Sequence, residues 1–153
     1  MPVYTTVQIA RLWAQAINNS KHLAAWAQAH CNRNWTVSVG EDLRHPPNEA
    51  DAPLMVIFPD VVSSPERSAR HHELGIVVGI VDDAWETVDG VREIRGLLRL
   101  DEIWRLLQPE LELALPGAII PNNLVEYELG SFPLCMLLIT LKVEQSLPVG
   151  MRR

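Results

Sequence analysis

The stretch from Phe132 to Glu144 narrows the possible fold more than any other part of the chain. It begins apolar on both faces and ends by alternating, with Leu137, Ile139, Leu141 and Val143 on one side and Thr140, Lys142 and Glu144 on the other. A strand buried on both faces at one end and wetted on one face at the other belongs in a sheet partly covered by helices. Val125–Leu129 precedes it, and Gly130-Ser131 supplies the turn between them. The expectation is a soluble α+β domain whose function resides in its surfaces, because no residue pattern announces chemistry.

A chain of 153 residues reads as one domain, placed here at residues 1–147, with a frayed basic tail over 148–153. It is long enough to bury roughly 68–70% of its unfolded surface. Cys31 and Cys135 stand far apart with no paired spacing, so two reduced, core-type cysteines are expected rather than a disulfide. Met1–Thr6 has no basic region leading into an apolar run, and the longest uninterrupted apolar stretch, Leu134–Ile139, is far short of the ~20 residues of a membrane helix. An intracellular product without a membrane segment is expected. The net charge of −6, with Lys and Arg dispersed, disfavours sequence-specific nucleic-acid binding through a basic face.

Residues 5–17 carry Ile9, Leu12, Trp13, Ala16 and Ile17 at helical spacing, and Ser20 is a candidate N-cap for a second helix to about Cys31. Whether the two form one bent helix is left open by the sequence. Trp35–Val39 alternates and stops at Gly40, and Leu54–Phe58 is a short apolar run between Pro53 and Pro59; both read as strands. Glu73–Val81 reads as a third, with Gly75, Val77, Gly79 and Val81 on one face and Leu74, Ile76, Val78 and Ile80 on the other. The glycines suggest that a helix packs close over their face. Asp89-Gly90 marks a turn, and Val91–Gly96 fits either a strand return or a helix lead-in. Leu100, Ile103, Trp104, Leu107 and Leu111 form a helical stripe that Pro109 should interrupt, which puts the regular helix near 99–108. Val37, Val56, Ile76, Val78, Ile139 and Leu141 are assigned to one sheet core beneath Ile103, Trp104 and Leu107. The segments Gly40–Pro53 and Pro59–His72 are polar and long for structureless loops, and are expected to be mobile until they order against a partner.

Three clusters could carry chemistry. His71-His72-Glu73 offers metal ligands or a base, but adjacent histidines on an extended chain point opposite ways. Asp82-Asp83 with Glu86 could hold a divalent cation through oxygens, although an acidic turn accounts for it as well. His30-Cys31 suggests a nucleophile pair, but consecutive helical residues splay apart. Phosphate loops, dinucleotide fingerprints, nucleophile elbows and paired-cysteine sites are all missing from the sequence. No catalytic, cofactor or metal residue is therefore assigned. Apolar residues beside polar segments (Trp35, Leu43, Val61, Val62 and Trp85) are the interface candidates.

Taken in order, Ala52–Pro59 ("APLMVIFP") and the closing Val125–Glu144 hairpin, set among N-terminal helices and the Leu100–Leu107 helix, resemble the tail-terminator and tail-completion (neck) proteins of long-tailed phages and prophages. The resemblance spans roughly residues 5–147 and rests on hydrophobic patterns. It implies a mixed, mostly antiparallel sheet with helices packed largely on one face and long flexible loops. It further implies a homo-oligomeric, usually six-fold ring that caps the tail tube and joins it to the head. The implied partners are the tail tube protein and head-tail connector proteins, and the implied location is the virion, with the host cytoplasm during assembly. No cofactor and no catalytic residue carry over. The opposing expectation is a small-ligand-binding or metal-dependent enzyme domain on the same sheet, with Trp35, Trp85 and His71 lining a pocket.

Overall fold

The computed structural model describes residues 3–66 and 69–147. The tail expected from Pro148 lies outside the described residues, as does the side chain of Val61.

Helix α1 (Thr6–Asn19) starts at Thr5, whose hydroxyl accepts from the Gln8 N–H while the Gln8 side chain accepts from the Thr5 N–H. This reciprocal cap satisfies two of the free donors at the helix start. Ser20 then separates two distinct helices. Its extended backbone ends α1, and its hydroxyl accepts from Leu23 N–H to begin α2 (Lys21–Cys31). Asn32, in the left-handed region at φ 54°, ends α2.

Strands β1 (Thr36–Val39), β2 (Leu54–Glu66), β3 (Ala69–Val81), β6 (Ile119–Glu128) and β7 (Leu134–Ser146) form one sheet in the order β1-β2-β3-β7-β6. Only β1 and β2 are parallel; the other neighbours are antiparallel. A separate hairpin joins β4 (Trp85–Val88) to β5 (Val91–Ile94) through Asp89 and Gly90, both at positive φ as a two-residue turn of this kind requires. The ambiguous Val91 segment is thus a strand return. Helix α3 (Arg95–Ala114) follows directly.

The register decides which face is dry. Ile76 pairs with Ile57 on one side and Ile139 on the other, so Met55, Ile57, Leu74, Ile76, Val78, Ile80, Leu137, Ile139 and Leu141 share the helix-facing side. They pack with Ile9, Trp13, Ile17, Leu23, Ile103 and Leu107 into one core. The fold is therefore α+β, with a mixed sheet and helices packed on one face.

Several expectations need correction. Helix α3 continues through Pro109 to Ala114 instead of stopping near 108. Its last turn is fastened by the buried Leu111 and by Trp13, whose indole N–H donates to the Leu111 carbonyl at 3.2 Å. That carbonyl is one of those a helix end leaves without a partner. The segment Pro59–His72 is strand over its described residues, with residues 67 and 68 lying outside them. Strand β2 continues to Glu66, β3 begins at Ala69, the two pair as far as Glu66–Ala69, and β7 flanks β3 as far as the Ala69–Ser146 pair. Pro59 is accommodated because the register shifts between it and Val61, where a ladder donor is not required. Gly40–Pro53 remains a connection, but it holds a 3-10 turn at Glu49–Asp51 capped by Asn48 and is tied to the α2–β1 link by Arg33 on the Ala50 carbonyl.

The glycines of β3 lie on the face away from the helices. Phe58 covers Gly75, and Leu54 fills the space over Gly79 from 3.1 Å. Val56 shares that outer face instead of the core assigned to it, and Trp104 is half-buried at the flank of α3.

Candidate interaction surfaces

The four interface candidates whose side chains are described separate into different environments. Trp35, only 7% exposed, stacks on Trp26 at 5.8 Å and donates its indole N–H to the Leu23 carbonyl at 2.9 Å. It is a core residue, and its place in the interface set is withdrawn; alternation at the start of β1 does not reveal that α2 folds back over it. Leu43 is 80% exposed on the Gly40–Pro53 connection. Val62, 54% exposed, stands on the distal half of β2 opposite His72. Trp85 is 47% exposed on the β4–β5 hairpin, with the Arg92 guanidinium 4.4 Å above its ring and Phe132 6.5 Å away.

Val62 and Trp85 lie at opposite ends of the sheet. The nine steps of β3 from His72 to Val81 measure about 30 Å at strand rise. Trp35, Trp85 and His71 consequently do not converge on a pocket. Between the two ends, the outer sheet face presents Phe58, Val77, Met136, Leu138 and Leu124, half-buried or exposed, and no helix among the described residues covers them. Toward the Val62 end this face opens into a groove of about 380 Å³ lined by Glu73, Asn123, Leu124, Thr140 and Lys142. Beside β1 and the Gly40–Pro53 connection a second cleft, of about 270 Å³, is lined by Ser38, Asp42, His45 and Val56 among others.

The clusters considered for chemistry have structural partners. His71 faces outward, 3.9 Å from Glu144, whereas His72 is buried against α1. Gln145 Oε1 already accepts from Tyr4 N–H and can only accept, so His72 Nε2 donates to it at 3.2 Å. The neutral ring then leaves Nδ1 to accept from the Thr6 hydroxyl at 2.8 Å. Burial pushes the His72 pKa down, the Gln145 hydrogen bond opposes this, and the charges of Arg70 and His71 add to the lowering. The Gln145 Nε2 amide is buried with no partner among the described residues.

Asp82 does not face a cation site. Its carboxylate, 1% exposed, receives Arg95 through two hydrogen bonds of 2.8 and 2.9 Å, Arg99 at 3.2 Å, and the Ala84 N–H at 3.0 Å. Burial opposes its ionisation, but the Arg95 hydrogen bonds, the Ala84 N–H and the two guanidinium charges outweigh that and hold its pKa below the usual carboxylate range. The clamp joins the end of β3 to the first turns of α3 and so fixes the direction in which the Trp85 hairpin projects. Sequence reasoning missed it; the only available signal was the i, i+4 spacing of Arg95 and Arg99 after an acidic turn. His30 leans on the Trp26 ring at 4.6 Å, and burial raises the Cys31 thiol pKa. Among the described residues, no three His, Cys, Asp or Glu side chains gather as a metal site.

No family model matches the chain, and no curated protein matches its sequence.

Proposed function

We propose that this chain is a structural subunit of a long-tailed phage or prophage that assembles head to tail into a ring, caps the tail tube and takes part in joining it to the head, without catalysis. The observation that carries the reading is the placement of two different exposed apolar groups, Val62 and Trp85, at opposite ends of one rigid sheet. A ring needs two unlike patches that meet between neighbours, whereas a two-fold dimer reuses one patch. The half-buried apolar outer face of the sheet between those ends supplies additional area for a neighbour or for the tail tube. A net charge of −6 suits a lumen that lets DNA pass without gripping its phosphates.

The test separates head-to-tail from two-fold association. Val62→Asp disables one patch and Trp85→Ala the other. Each variant alone should fail to form rings, and a mixture of the two should stop at heterodimers held by the one intact seam. A variant carrying both changes should sediment as a monomer. Two-fold dimers in the wild-type chain, or rings that survive both substitutions, would refute the proposal.

A further inference from the structure

We infer that the β4–β5 hairpin of one copy docks in the groove on the outer sheet face of a second copy, with Trp85 on Leu124 and Thr140 and Arg92 toward Glu73. The inference rests on the ring reading above and assigns the partner of its Trp85 patch to the outer face at the Val62 end of the sheet, Val62 itself standing opposite His72 on the helix-facing side of that end. The hairpin is a preformed anchor: Arg92 lies over the Trp85 ring, Phe132 supports that ring from the side, and the Asp82–Arg95 clamp holds the hairpin base. Half-exposed tryptophan and arginine held together in this way are the residue types on which protein interfaces concentrate their energy.

The groove matches the anchor in shape and in charge. At about 380 Å³ it is roomy enough for an indole. Its floor is Thr140 of β7, and its wall is the cross-strand neighbour Leu124, 56% exposed on the edge strand β6. Glu73 and Lys142 line the groove. Two further carboxylates of the same face flank it, Glu126 beside Leu124 on β6 and Glu144 beside Lys142 on β7, so acidic groups outnumber the one ammonium where Arg92 would approach. Within one chain the anchor cannot reach this groove. Trp85 follows Val81, which is about 26 Å along β3 from Glu73 at strand rise. A second copy is therefore the occupant, and since anchor and groove are different patches the contact propagates head to tail.

Charge reversal tests the pairing. Sedimentation velocity of the full chain should show self-association weakened by about a hundredfold in Trp85→Ala, as expected for an interface hot spot. Arg92→Glu and Glu73→Arg should each weaken it, and the chain carrying both reversals should recover most of the loss. Thr87→Cys mixed with Leu124→Cys should give an intermolecular disulfide under mild oxidation, a readout at exposed positions that a folding defect would not produce. Rings that persist with all three surface substitutions and no Thr87–Leu124 cross-link would overturn this seam while leaving the ring reading standing. A chain that stays monomeric at millimolar concentration would overturn both.

Discussion

Replacing Asp82 with Asn tests whether the Arg95–Arg99 clamp holds α3 and the β4–β5 hairpin to the sheet. Asn has nearly the same volume, so no cavity forms. Its Oδ1 can still accept from Ala84 N–H, but its NH2 group would point donor-to-donor at a guanidinium now 2.8 Å away. Hydrogen bonds to a charged partner contribute about 1.5–3 kcal/mol each, and breaking a buried pair costs about 3–5 kcal/mol. Arg95 and Arg99 retain 35% and 18% side-chain exposure, so both can turn to water and recover part of that. The expected loss is about 2–3 kcal/mol at pH 7, or a melting temperature lower by about 5–10 °C for a domain of this size. The pH dependence gives the sharper check. Because the folded Asp82 pKa is depressed, the folded state binds fewer protons than the unfolded one. Its contribution is full above the unfolded value near 3.9 and is lost as the pH falls through the folded value. Urea unfolding followed by tryptophan fluorescence should therefore show the gap between wild type and Asp82→Asn closing as the pH drops from about 5 toward 2. A gap below about 0.5 kcal/mol at pH 7, or one that does not shrink in acid, would refute the clamp.

Gly96→Ala should destabilise the fold although it lies in a helix where alanine is worth about 1 kcal/mol over glycine, because its Cβ would sit 2.6 Å from Cys135 Sγ. A double-mutant cycle with Cys135→Ala should reveal a favourable coupling of about 1–3 kcal/mol, and simple additivity would contradict the contact. Burial lowers the His72 pKa, so the unfolded chain takes up the proton first; stability due to His72 is intact above about pH 6.5 and falls as the pH drops below it. His72→Leu should flatten that part of the stability–pH curve, and an unchanged slope would remove His72 from the buried network. Amide exchange should be slow from His71 to Gly75, since β3 is bonded to β2 and β7 on both sides there, and fast exchange would restore the loop expected from sequence.

The parts of the fold written as period were legible. Alternation in Leu137–Val143 separated the core side of β7 from its wet side, and Ser20 identified the start of α2, whereas the glycines of Glu73–Val81 pointed to the wrong face for the helices. The hairpin beyond Pro59 was hidden because its stability comes from backbone pairing on both flanks of β3, which leaves no apolar period to read. Val56 and Trp35 were misplaced for a related reason. A buried residue looks the same in sequence whichever layer covers it, and here the covers are the Gly40–Pro53 connection and helix α2. Pro109 misled because local propensity was overruled by the tertiary anchor between Trp13 and Leu111. Among the surface candidates, Leu43, Val62 and Trp85 are exposed as expected, yet the groove around Leu124 was invisible, since it is assembled from β3, β7 and β6.

Electron microscopy of particles produced with and without this chain tests the central claim most directly. The ring account predicts tails of defined length bearing a closed ring of copies, usually six, at the head-proximal end when the chain is present. It also predicts overlong or headless tubes when the chain is missing. Tails of normal length, joined to heads in its absence, together with a two-fold dimer in solution, would contradict it.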